Sequence, residues 1–138
     1  MLSRMSSVTG PTSRHESEAV TEGVRIVVIP MFMALQSSSK DKRFLFSYSV
    51  TIRNEGTAHI RLATRHWRIV DADGDVRLIE GPGVVGQHPE LGPGESFEYS
   101  SFCPLLTPWG TMEGHYTFER NGARFDAKIE RFYLVSDA

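Results

Sequence analysis

The clearest hydrophobic pattern in the chain is RFLFSYSVTIRN. Phe44, Phe46, Tyr48, Val50 and Ile52 fall on one face, and Leu45, Ser47, Ser49, Thr51 and Arg53 on the other. Side chains of a strand alternate between faces, so strict period two with one largely polar face predicts a half-buried antiparallel strand. VRIVVIP, residues 24–30, is β-branched and predicts a strand ended by Pro30, followed by a loop in MFMALQSSSKDK. Asn54-Glu55-Gly56 makes the turn into HIRLATRHWRIV. In that segment Ile60 and Leu62 share one phase, whereas Arg65, Trp67 and Ile69 share the opposite one. The slip predicts a bulge near Ala63-Thr64.

Asp73-Gly74 signals a hairpin into the short strand DVRLIE. A Gly/Pro-rich stretch follows at residues 81–94. SFEYSSF then predicts a strand stopped by Pro104, with LLTPWGT as loop. MEGHYTFER alternates through Met112, Gly114, Tyr116 and Phe118, and Asn121-Gly122 is the strongest two-residue hairpin signal in the chain. The last segment, ARFDAKIERFYLV, changes phase between Ile129 and Phe132 and predicts a second bulge near Glu130. About seven short strands with turn chemistry between them, and no helix-period segment, predict an all-β fold. The class is an immunoglobulin- or fibronectin type III-like two-sheet antiparallel sandwich. Without βαβ alternation, a doubly wound fold is excluded. The polar residues 1–20 are expected to form a flexible tail, and residues 21–138 the domain.

Composition narrows the partners. Hydrophobic residues make up 40% of the 138-residue chain and charged residues 23%, with a net charge of −2. This is enough apolar material for a core without disulfides. No strong field is expected for steering the protein to nucleic acid or to an acidic membrane. There is no apolar leader and no run near the roughly 20 residues that span a bilayer, so a cytoplasmic protein is expected.

Chemistry concentrates in a few places. Gly81-x-Gly83-x-x-Gly86 matches a dinucleotide fingerprint as a string, but that motif works only where a helix opens directly after it. Gln87-His88-Pro89-Glu90-Leu91-Gly92-Pro93-Gly94 cannot form that helix. What remains is an anion nest of loop N–H groups, with Arg65 and His66 as neighbouring cations, or a sandwich loop that needs unusual backbone angles. Trp67 is expected in the core, with Arg65 on its face and His66 on the other.

Asp71, Asp73 and Asp75 resemble the start of a calcium loop. The required sixth and twelfth positions, however, hold Val76 and Pro82, so a turn is expected. The five histidines show no metal-ligand spacing, and Cys103 has no local base, so neither a metal site, a cofactor nor a catalytic set is expected. Phe102 and Trp109, taken as loop aromatics beside Pro104 and Pro108, are candidate contact anchors for a partner or caps on one end of the sandwich.

Several blocks together resemble the ApaG family: Arg65-His66-Trp67, the run Gly81-Pro82-Gly83-Val84-Val85-Gly86, Pro93-Gly94, and Thr107-Pro108 with Gly110 and Met112. The resemblance spans roughly residues 20–135. It departs from the family pattern at Phe102, where glycine is commoner, at Trp109, where a small residue is expected, and at Glu130-Arg131, in place of Pro-Ala. It implies a fibronectin type III-like sandwich and a bacterial cytosolic protein whose gene neighbours one for a diadenosine tetraphosphate hydrolase. It also implies an association with cobalt resistance and magnesium efflux. Related domains in eukaryotic F-box proteins and in a polymerase-interacting protein look like interaction modules.

The expected function is therefore a non-enzymatic binding module. It would engage a protein partner, or a second copy, through loops or an edge strand. The alternative is a sensor that takes a phosphorylated nucleotide or pyrophosphate at Gly81–Gly86. A metal-dependent phosphohydrolase is the remote third reading.

Overall fold

The computed structural model describes residues 15–136. Most of the expected N-terminal tail, residues 1–14, lies outside the described residues. Nine strands run in chain order: β1 (Ser17–Thr21), β2 (Val24–Phe32), β3 (Phe44–Asn54), β4 (Ile60–Asp71), β5 (Val76–Pro82), β6 (Glu90–Leu91), β7 (Ser96–Leu105), β8 (Trp109–Arg120) and β9 (Ala123–Val135). One sheet has the order β1-β2-β3-β7, the other β5-β4-β8-β9 with β6 paired to β4. Every pairing is antiparallel. With β1 and β6 set aside, the seven expected strands remain, divided three against four between the sheets as in immunoglobulin-like sandwiches.

Four expectations need correction. Residues 17–20, assigned to the tail, join Thr21 in β1, which pairs along Val24–Val28. β2 continues past Pro30 to Phe32, because β1 has ended by then and that flank of β2 is open, where a missing N–H costs no ladder bond. β7 likewise runs through Pro104 because it is an edge strand, and Phe102 therefore lies in a strand, as does Trp109 at the start of β8. The expected loop after β2 contains a single 3₁₀ turn, Ala34–Gln36.

The inward faces follow the alternation. Phe46, Val50 and Ile52 of β3 meet Trp67 and Ile69 of β4, Tyr116 and Phe118 of β8, and Ile129, Phe132 and Leu134 of β9 in one buried cluster. Trp67, 4% exposed, is at its centre. Its ring meets Tyr48, Tyr116 and Phe132 edge-on, with centroids 5.4, 6.1 and 5.9 Å away. Removing such a ring typically costs about 3–5 kcal/mol.

Both bulges are present. The β4–β8 register shifts between Leu62 and Thr64. On β9, Met112 faces Phe132 while Gly114 faces Ile129, so Glu130 and Arg131 together oppose Glu113. Asn121 and Gly122 both take positive φ, 53° and 78°, as their two-residue hairpin requires.

The sandwich is closed on one side and open on the other. On the β1/β9 side, Lys128 N–H donates to Thr21 Oγ1 (3.1 Å) and Arg120 Nη1 to the Glu22 carbonyl (2.9 Å). On the opposite side, the sheets end in β5 and β7, and a cleft opens between them. Among the described residues, no helix is long and apolar enough to cross a membrane.

Candidate functional site

The cleft has a volume of about 270 Å³. β4 supplies its floor with Arg65, Trp67 and Ile69, β5 one wall with Arg77 and Ile79, and β7 the other with Tyr99, Ser101 and Cys103. Val84 and Val85 of the glycine loop close one end. Arg65 reaches the cleft because the β4 bulge moves the inward phase from Leu62 onto Arg65, Trp67 and Ile69.

Two guanidiniums face this space. Arg65 Nη1 donates to the carbonyls of Pro82 (2.8 Å) and Gly83 (3.0 Å). Arg77 Nη2 donates to the Pro104 carbonyl (2.8 Å) and approaches Cys103 Sγ (3.6 Å). Among the described residues neither makes an ion pair with a carboxylate, whereas Arg25, Arg61, Arg120 and Arg131 all do. Below Arg65 the Tyr99 and Tyr116 hydroxyls share a hydrogen bond, and Tyr48 bonds Ser101. Burial pushes all three phenols up, against the smaller downward pull of Arg65. The hydroxyls stay neutral, so the cleft remains cationic. Cys103 is buried, and burial raises its thiol despite Arg77, which disfavours the nucleophilic thiolate.

The glycine run lies at the rim. Gly81 is in β5, and Gly83 (φ 60°) turns the chain into a tight loop at Val84–Gln87. Gly83 N–H donates to the Ala63 carbonyl, and Val84 and Gln87 exchange N–H bonds (2.8 Å each). Val85 and Gly86 N–H groups take no part in these bonds. His66 lies on the outer face of its sheet, away from Arg65, and its neighbours there are Thr64, Glu80 and His115. Phe102 stands 60% exposed at the cleft mouth, and Trp109, 48% exposed, is at the start of β8 and does not line the cleft.

The Asp71, Asp73 and Asp75 carboxylates gather within 4.8 Å of one another. The arrangement is that of a turn: Asp71 Oδ1 accepts N–H bonds from Asp73 (2.9 Å) and Asp75 (3.0 Å). Arg77, Tyr99 and Ser101 were not singled out from the sequence. Their signal was inward phase on an edge strand, visible only once β5 and β7 are known to flank one opening.

Comparison with known proteins agrees with this architecture. The ApaG domain family model matches residues 34–120. Protein ApaG of Methylobacterium nodulans is 48% identical over 118 residues, covering 85% of this chain and 91% of that protein. Protein ApaG of Anaeromyxobacter dehalogenans is 52% identical over 120 residues, covering 86% and 94%. A crystal structure described as the ApaA protein of Bordetella pertussis superposes with a TM-score of 0.81 at 41% identity, covering 83% of this chain and 94% of that one. With that fold, those relatives and the matched span in agreement, the chain belongs to the ApaG family.

Proposed function

We propose that the domain is a non-enzymatic recognition module that binds a protein partner through its open side, taking an acidic group of that partner between Arg65 and Arg77. The carrying observation is that the two guanidiniums line one cleft without a carboxylate partner. A bound partner would cover the half-buried Arg65 and the exposed Arg77, and its carboxylate would then supply the counter-charge in fork geometry. The cleft walls, β5 and β7, are sheet edges with backbone groups available for strand addition. Exposed Leu78, Val85 and Phe102 beside them suit a protein surface. The test is co-purification from cytosol with Arg77→Glu and Lys128→Glu variants. The partner is expected to be lost with the first and kept with the second, and equal recovery with both sinks the reading.

A second reading, a phosphorylated nucleotide or pyrophosphate at Gly81, Gly83 and Gly86, draws on the same Arg65 and on the Val85 and Gly86 N–H groups. His66 points to the other face and would take no direct part. An NMR titration with pyrophosphate decides it, because amides 85 and 86 that do not move at millimolar ligand leave it without support. Through the family, the module reading extends to a cytoplasmic role in cobalt resistance or magnesium efflux. A deletion strain complemented with Arg65→Met/Arg77→Met and grown on cobalt checks that extension.

A further inference from the structure

A second concentration of chemistry lies on the outer face of the β5-β4-β8-β9 sheet. His66 and His115 are directly opposed cross-strand partners. Their imidazoles stack with centroids 4.3 Å apart and planes 18° from parallel. In the next outward row, Thr64 pairs with Thr117 and Thr117 with Asp126. Both Nε2 atoms turn toward that row. His66 Nε2 is 2.9 Å from Thr64 Oγ1 and 3.5 Å from Thr117 Oγ1. His115 Nε2 is 3.7 Å from Asp126 Oδ2, while Thr117 Oγ1 donates to Asp126 Oδ1 at 2.7 Å and holds the carboxylate in place. On the other flank, Glu80 lies 3.4 Å from His66 Nδ1.

The charges around this group are distributed unevenly. Glu113 is held by Arg68 and Arg131, Glu119 by Arg61 and Arg124, and Glu130 by Lys128. Among the described residues, Asp126 and Glu80 lie within 4 Å of an imidazole nitrogen and of no Arg or Lys nitrogen. Lys128 is the register partner of His115 but sends its ammonium to Glu130, 2.9 Å away. Two imidazoles and two carboxylates thus share one patch, and among the described residues no Arg or Lys pairs with either carboxylate.

We propose that His66, His115 and Asp126 form a surface site for a divalent transition-metal ion of the zinc or nickel class, with Glu80 orienting the His66 ring through Nδ1. Imidazole nitrogen selects such ions, whereas magnesium and calcium prefer all-oxygen sets. Two imidazoles and a carboxylate supply three positions of a tetrahedral ion, and water takes the fourth. A carboxylate on the far nitrogen of a ligating imidazole is the usual supporting contact. Ligand atoms around such an ion stand roughly 3.3 Å apart. The two rings must therefore tilt their Nε2 edges together from the stacked spacing. Side-chain exposures of 28% for His66 and 37% for His115 leave room for that tilt, above a ladder that keeps their backbones opposed.

The full chain is titrated with ZnCl₂, with calorimetry for affinity and NMR for the imidazole nitrogens. One ion per chain and shifts at both His66 and His115 are expected. His115→Gln should weaken binding by roughly a hundredfold and Asp126→Asn by about tenfold, each folding normally by thermal melt. His66→Gln completes the set. His66 is part-buried, so should that variant unfold, the other two carry the test. The proposal is overturned if zinc shifts Asp71, Asp73 and Asp75 in place of the histidines. It is equally overturned if affinity survives His115→Gln, or if no resonance moves at millimolar zinc.

Discussion

The Arg65 guanidinium packs against the bare Cα of Gly81, where a Cβ would fall 2.9 Å from Nη2. Gly81 is in ordinary strand conformation, so this glycine serves the arginine above it and no turn. Gly81→Val should leave the fold intact and displace the guanidinium from the Pro82 and Gly83 carbonyls. The Arg65 Nε–H resonance should shift. If the anion reading is correct, pyrophosphate affinity should also fall about tenfold, or about 1.4 kcal/mol.

The other two glycines of the run separate backbone angle from space. Gly86 has φ 79° and open surroundings, so Gly86→Ala should cost only about 1–2 kcal/mol for the left-handed conformation. Gly83 has φ 60°, and a Cβ there would sit 2.2 Å from the Gln87 carbonyl oxygen. Gly83→Ala should therefore lose about 3 kcal/mol or more, because overpacking adds to the strain. Paired thermal melts check the order.

Asn54 ends β3 and is 1% exposed. Its Nδ2 donates to the carbonyls of Ala58 (2.8 Å) and Leu91 (2.9 Å), and its Oδ1 accepts from Gly56 N–H (3.0 Å). Asn54→Ala leaves three backbone groups without partners, at least one of them buried, and should destabilise the domain by about 3 kcal/mol in urea melts. Asn54→Asp should not rescue it, since the carboxylate cannot donate.

Alkaline pH should weaken the fold. Burial raises the Tyr48, Tyr99 and Tyr116 phenols and the Cys103 thiol above their ordinary values of 10.0 and 9.0. A raised folded-state pKa means the unfolded chain gives up its proton first. The stability is therefore full below about pH 9 and lost as pH climbs toward the folded values, at up to about 1.4 kcal/mol per pH unit per group. Melts from pH 7 to 11 should show this decline. Tyr99→Phe should make it less steep, because one of the four contributing groups is then gone from both states.

Much of the strand plan was legible in the chain. Period two in residues 44–53, the phase slips at Ala63 and Glu130, and the Asn121-Gly122 turn are local signals, and each appears in the ladder. The errors fell where position in the sheet overrides a residue's habit. Pro30 and Pro104 stop strands only when their N–H is needed, and here both lie on open flanks.

The sequence by itself determined seven of the nine strands, most of their inward phases and the hairpin turns, because alternation and turn chemistry act over a few residues. Only the tertiary structure decided which strands became edges, and so where Arg65 and Arg77 share one opening. It also decided that His66 stands over His115, by pairing β4 with β8 in a register displaced by the bulge between Leu62 and Thr64. Register joins residues far apart in the chain. It depends on how the two buried faces fit together, which no local pattern records.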